Sequence, residues 1–218
     1  MVMQVSLIVL FPFSTLWSAG FRVYCSLCEQ NTMQYGGSMS DRTKALFESC
    51  DIEEVMMNPF TRIGHEWMLV TAGTLSSWNT MTAAWGGFGF IWGKPAAFVF
   101  VRYVRHTYEY MEKRSHFSLS FFDERWKKAL MVCGTKSGRD TDKAKETGLT
   151  PLDLTGSHHI SGAALGFEQA KEMFVCRKLY SGELSPEQFA VEEIHSHYPA
   201  KDYHRMYVGE IEAVLRHL

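Results

Sequence analysis

The chain has 218 residues, 46% hydrophobic and 14% aromatic, enough for one ordinary domain with a real core and too apolar for a disordered segment. Its formal net charge of -2 excludes a general nucleic-acid binder, which needs a broad basic field. Of five cysteines only Cys25-x-x-Cys28 forms a close pair, with no second pair behind it, so reduced thiols in a cytosolic protein fit better than a zinc or redox centre.

Val2 to Phe21 is apolar, interrupted by Pro12, and carries no Lys or Arg, so it lacks the positive segment that opens a secretory signal. As a membrane span it is at the short end. Met39, followed by Ser40, Asp41 and Arg42, resembles an ordinary soluble start. Residues 1–38 are therefore read as an upstream extension outside the fold, with a signal or anchor as the alternative, and residues 39–218 as the domain.

Asp41 to Cys50 is expected to form a lead-in helix, and Asn58-Pro59 a turn, because the residue before proline is pushed out of the α region. Trp67 to Ala72 reads as a strand that enters a polar hinge rich in Ser, Thr, Asn and Gly. Thr80 to Gly89 follows as a second strand or bulged loop, and Ala96 to Val104 as a third strand with β-branched and aromatic bias. Thr107 to Arg114 suits a short helix capped by Thr107. Phe117 to Phe122 is a fourth strand, Asp123 to Met131 a helix stopped by Gly134, and Asp140 to Thr147 a helical piece closed by Gly148. Ala163 to Lys178 is strand-like, Ser185-Pro186-Glu187 starts a short helix, and Tyr203 to Leu215 is a final strand. Strands and short helices without regular βαβ alternation indicate a mainly β fold, a closed or split antiparallel barrel with peripheral helices.

Two stretches can bind a polar ligand. Trp67 to Pro95 offers small residues, main-chain amides and flat tryptophan walls. Cys133 to Lys143 gathers Lys136, Arg139 and Lys143 around Ser137-Gly138, suited to an anion such as a phosphate, or else a solvated basic loop. Arg102 and Arg105, just after a strand and before Thr107, suit a phosphate at a helix N-terminus or simply face water. No HExxH, GxSxG or strand-borne GxGxxG is present, and His158-His159 and His195-x-His197 read as loop histidines rather than metal ligands. A ligand slot without an acid–base set points to a cofactor that carries the reaction.

Together WMLVTAG (Trp67 to Gly73), WNTMTAAWG (Trp78 to Gly86), Lys94-Pro95 and FVRYVRHTYE (Phe100 to Glu109) give the chain a resemblance to the flavin reductase-like, FMN-binding split-barrel family. LSFF (Leu119 to Phe122), CGTKSGRDTDK (Cys133 to Lys143), TGLTP (Thr147 to Pro151) and DYHRMYVGEIE (Asp202 to Glu212) add to it, and the branch related to flavoredoxin is the nearest. The resemblance implies an FMN-binding split β-barrel, a non-covalent FMN, a homodimer, and NADH or NADPH as electron donor. It implies that Trp78, Asn79, Thr80, Met81, Thr82, Ala83 and Trp85 line the ring and ribityl chain. Arg102, Arg105, Thr107, Lys136, Ser137 and Arg139, with Lys143, would take the phosphate, and His106 stands where relatives often carry Tyr. No catalytic side chain, metal, nucleic acid or membrane association is expected. The implied activity is a cytoplasmic NAD(P)H-dependent flavin reductase, the alternative a flavoredoxin-like electron carrier serving a redox partner protein.

Overall fold

The computed structural model describes residues 40–156 and 160–218. The amino-terminal extension, Cys25-x-x-Cys28 and His158-His159 lie outside the described residues. Ser40 caps α1 (Asp41–Leu46), its hydroxyl accepting from the Thr43 N–H at 3.2 Å. The expected helix then ends early. Phe47, 2% exposed, turns extended and opens β1 (Phe47–Cys50), which pairs with the far end of the last strand. Long-range pairing overrides the local helical preference. Asn58 caps α2 (Pro59–Thr61) with its side-chain oxygen, and the coil continues as a π turn over Arg62–Glu66.

β2 (Met68–Thr74) and β3 (Ser77–Ala83) form a hairpin, so the polar stretch expected as a hinge is itself a strand. β4 (Gly86–Ile91) and β5 (Lys94–Arg102) form a second hairpin, joined by Trp92-Gly93, both at positive φ as a tight two-residue turn requires. α3 (His106–Lys113) has Arg105 at its N-cap and no side-chain cap. Thr107 is thus inside the helix rather than capping it, and its buried hydroxyl serves another partner. β6 (His116–Phe121) leads through a 3-10 turn to α4 (Lys127–Thr135). Gly134 does not stop α4. It lies in the last turn, where a side chain would press to 3.2 Å from Thr82 Cβ, so its smallness lets α4 seat against β3. α5 (Lys143–Thr147) starts later than expected, at the Asp142 cap, and closes on the left-handed Gly148. The strand-like run after Ala163 divides into β8 (Leu165–Phe167), partnered by β7 (Pro151–Asp153), and the long β9 (Glu172–Glu183). β10 (His204–His217) ends the fold.

Eight strands make one antiparallel sheet in the order β3-β2-β6-β9-β10-β5-β4, with β1 on β10. No ladder among the described residues joins β3 to β4, so the barrel is split there. It is nonetheless wrapped: Phe88 of β4 reaches Phe174 of β9 at 4.8 Å and Phe121 of β6 at 6.3 Å between ring centroids. The pleat sorts side chains between two cores. Val70, Leu119, Phe174 and Val214 fill the interior, while Leu69, Met173, Val175 and Leu215 point outward to α4 and the β7–β8 ribbon. A bulge between Ile211 and Ala213 puts these same-parity neighbours on opposite faces. Strands buried on both faces read as near-continuous apolar runs, which is how β2 looks in sequence; β6 is buried throughout yet alternates, with His116, Ser118 and Ser120 between its apolar residues. No described helix is long and apolar enough to cross a membrane.

Candidate functional site

A cavity of about 190 Å³ opens where β3, the start of α3, the α4–α5 loop and α5 meet. Its lining comprises Asn79, Val104, Arg105, His106, Thr107, Thr135, Lys136, Ser137, Gly138 and Lys143. The uncapped N-terminus of α3 faces it, with partial positive charge at unfilled amide groups. Asn79, 4% exposed, donates from Nδ2 to Thr107 Oγ1 at 2.8 Å and so ties β3 to α3. At Gly138 an added Cβ would overlap Asn79 Oδ1 and crowd His106 Nδ1, so glycine alone lets the loop close over that pair. His106 Nδ1 is buried without a hydrogen-bond partner.

The predicted cations fall into two kinds. Lys136 pairs with Glu146, Arg139 Nη2 meets Glu109 Oε1 at 2.6 Å, and Arg102 Nη1 meets Asp202 Oδ2 at 2.9 Å. Arg105 and Lys143 have no carboxylate partner among the described residues. Arg105 Nη2 donates to Gly134 O at 2.6 Å and to Cys133 O at 3.4 Å. Lys143 Nζ, in a side chain whose residue is 4% exposed, donates to Thr80 O at 2.6 Å and to Cys133 O at 3.0 Å. Burial lowers the pKa of both, and Arg102 lowers Arg105 further. For Lys143 burial is the main cause, opposed by Cys133 and reinforced by Arg105, and brings it to about 8. A buried Lys143 beside a half-buried Arg105, both with only carbonyl partners, is costly unless an anion compensates them. Arg102 and Arg139 lie outside the cavity lining.

β3 ends the sheet path, so one of its edges is free. The Lys143–Thr80 bond shows that residue 80 turns its carbonyl to that edge, and alternation then turns the main-chain groups of Trp78 and Thr82 the same way. The side chains have structural duties. Thr80 Oγ1 bonds Thr71 Oγ1 at 2.8 Å, Thr82 Oγ1 donates to Leu130 O, and Trp78 packs edge-on against Phe167 at 5.7 Å.

Met81, Thr82, Ala83, Trp85 and Arg102 line a second cavity of about 200 Å³, with Ala84, Phe100 and His204. The β5–β10 register sets His204 opposite Arg102. Burial, then the Arg102 charge, pushes the His204 pKa down to about 4, so its ring is neutral at pH 7. Tyr198, whose own pKa burial raises, lies 2.9 Å from Nδ1 through its hydroxyl. With the phenol donating to Nδ1, Nε2 carries the proton. Trp85, 44% exposed, tilts over His204 at 5.0 Å. Ala84, Gly138 and His106 stand in the stretches the sequence singles out, whereas Val104, Phe100 and His204 carry no sequence signal as lining residues. Asp202 to Glu212 contributed to the resemblance, but only strand pairing places His204 beside Arg102.

No protein-family model matches the chain, and no curated protein matches it. Solved structures do. An FMN-binding domain of a flavin reductases-like enzyme from Shewanella baltica OS155 superposes with a TM-score of 0.55 at 14% identity, covering 78% of this chain and 76% of that one. The flavoredoxin of Desulfovibrio vulgaris (Miyazaki F) gives 0.51 at 22% identity over 68% and 67%. An NADH:FAD oxidoreductase of Streptomyces globisporus C-1027 gives 0.51 at 15% identity over 69% and 75%. The likeness is one of fold: the chain has the mainly β, split-barrel architecture of these flavin proteins.

Proposed function

We propose that this split-barrel chain binds FMN non-covalently and works as an NAD(P)H-dependent flavin reductase. One observation carries the reading: the half-buried Arg105 and the buried Lys143, with no carboxylate partner among the described residues, face a cavity at the N-terminus of α3. A phosphate monoester fits that donor set, since its charge compensates both cations and its oxygens accept from Ser137, Lys136, the orphaned His106 Nδ1 in its N–H tautomer, and amide groups of the helix start. From there the free edge of β3 offers the Thr80 N–H and the main-chain groups of Thr82 to the polar edge of a flavin ring, the Thr80 carbonyl being taken by Lys143, with Met81, Ala83 and Trp85 beside it. FMN held there would supply the redox chemistry, accepting a hydride equivalent from a reduced nicotinamide and passing electrons on.

The side chains bind and position; none is needed as an acid or base. Asn79 fixes β3 against α3, and Lys143 fixes the β3 edge against α4. The neutral His204 presents an Nε2–H in the neighbouring cavity, suited to a carboxamide oxygen, with Trp85 as a flat wall. The fold shared with an NADH:FAD oxidoreductase supports the same reading. A second reading, a flavoredoxin-like carrier, is favoured by the exposure of Trp85 at the cavity mouth, which leaves that end open to a partner protein. Residues 39–218 would be the flavin domain, with a homodimer formed over exposed Phe90 and Trp92 near the free β4 edge, in the cytoplasm.

Anaerobic mixing of the FMN-loaded protein with NADH and with NADPH decides between the readings. Rapid loss of the oxidised-flavin absorption band with either nucleotide is expected. A band unchanged by both would replace the reductase with the carrier.

A further inference from the structure

The Lys143 ammonium has three N–H donors, and two are spent on Thr80 O at 2.6 Å and Cys133 O at 3.0 Å. The third has no acceptor among the described residues, and Lys143 lines the phosphate-sized cavity. Its charged surroundings are one-sided. From the start of α3 come Arg105 at the N-cap, half-buried and bonded only to carbonyls, and His106; from α4, the buried Cys133 thiol, pushed up to about 11 by burial. The loop after α4 contributes Lys136, already paired with Glu146 of α5. β3 contributes only Asn79 and the Thr80 carbonyl. No acid offsets the ammonium, and its pKa falls to about 8.

We propose that Lys143 makes anion binding proton-linked: an anion in this cavity holds the ammonium charged, so the ligand-free protein releases a proton at alkaline pH that binding must recover from solvent. This rests on the FMN reading for the identity of the anion, and on the geometry alone for the linkage. A neutral amine keeps two N–H groups, enough for both carbonyls, and turns a lone pair toward the ligand. Deprotonation therefore leaves the β3–α4 bracket standing while removing the donor that the anion needs. The residue positions the β3 edge at any pH and grips phosphate only when charged. Arg105 stays charged throughout, so part of the affinity survives.

The test is FMN titration of the full chain from pH 7 to 9.5, followed by flavin fluorescence, with calorimetry at pH 8.5 in two buffers of different ionisation heat. Affinity is expected to hold near pH 7, then to fall by up to about tenfold per pH unit above the Lys143 pKa until it levels off at the value that Arg105 sustains, with a fraction of one proton taken up on binding. Riboflavin, which lacks the phosphate, should show neither effect. Lys143→Arg should bind FMN with a flat pH profile, and Lys143→Met should bind weakly with an equally flat one. A flat wild-type profile without proton uptake overturns the proposal, as does a decline that persists in both variants. FMN failing to bind even at pH 7 overturns the flavin reading instead, and the same series with inorganic sulfate, a dianion throughout this range, then decides the linkage by itself.

Discussion

FMN affinity is expected to fall by about two to four orders of magnitude when Arg105→Ala and Lys143→Met are combined, since two charge-assisted contacts of about 1.5–3 kcal/mol each are lost. These two cations matter most because none of the described residues offers them a carboxylate. Lys136 and Arg139 occupy the same loop in sequence, yet Glu146 and Glu109 already neutralise them at the surface. Lys136→Ala or Arg139→Ala should cost less than about tenfold, in line with weak exposed ion pairs. Equilibrium titration of the four proteins with FMN checks the ranking. If Lys136→Ala weakens binding as much as the double variant does, the phosphate is held elsewhere.

The second large effect is on stability. Glu212→Ala should lower unfolding free energy by about 3–5 kcal/mol, as removal of one partner from a buried charged cluster does. Glu212 Oε2 accepts from Ser161 N at 3.0 Å and faces His116 Nε2 at 3.1 Å, while Oε1 accepts from Ser161 Oγ at 2.8 Å and meets Arg177 Nε at 3.0 Å. The carboxylate thus joins β10, β6, β9 and the loop before β8. Burial alone would raise its pKa; the hydrogen bonds from His116 and Ser161 outweigh burial and set it at about 2. A carboxylate depressed below its ordinary 4.5 stabilises the fold above that value, and the contribution disappears as pH drops through about 2. Urea unfolding of wild type should therefore weaken between pH 4.5 and 2, and Glu212→Ala should be weaker at pH 7 and lose less over that range. Equal stability of the two proteins at pH 7 would contradict the assignment.

Most strands were legible because their pattern was simple. β5 and β10 carry β-branched and aromatic residues, and β2 is buried on both faces and nearly all apolar. β3 was only half legible: its Thr80 to Ala83 end falls in the expected second strand, which the structure divides between β3 and β4, while Ser77, Asn79, Thr80 and Thr82 are polar for reasons outside the strand: a free edge, a tie to Thr107 and a seat for α4. β1 was hidden because four residues paired with the far end of the chain leave no local periodicity. At the site, the residue types in CGTKSGRDTDK showed that an anion could bind. Which cations are free depends on Glu109, Glu146 and Asp202, whose positions only the fold sets. The neutral state of His204 likewise arises from tertiary burial and the Arg102 charge.

The absorption spectrum of the purified protein, followed by denaturation and identification of the released nucleotide, decides whether the chain is a flavoprotein. A yellow protein that releases about one FMN per chain is expected, or a colourless one that takes up FMN to that ratio when it is supplied. A folded protein that neither carries nor acquires FMN would contradict the flavin reading.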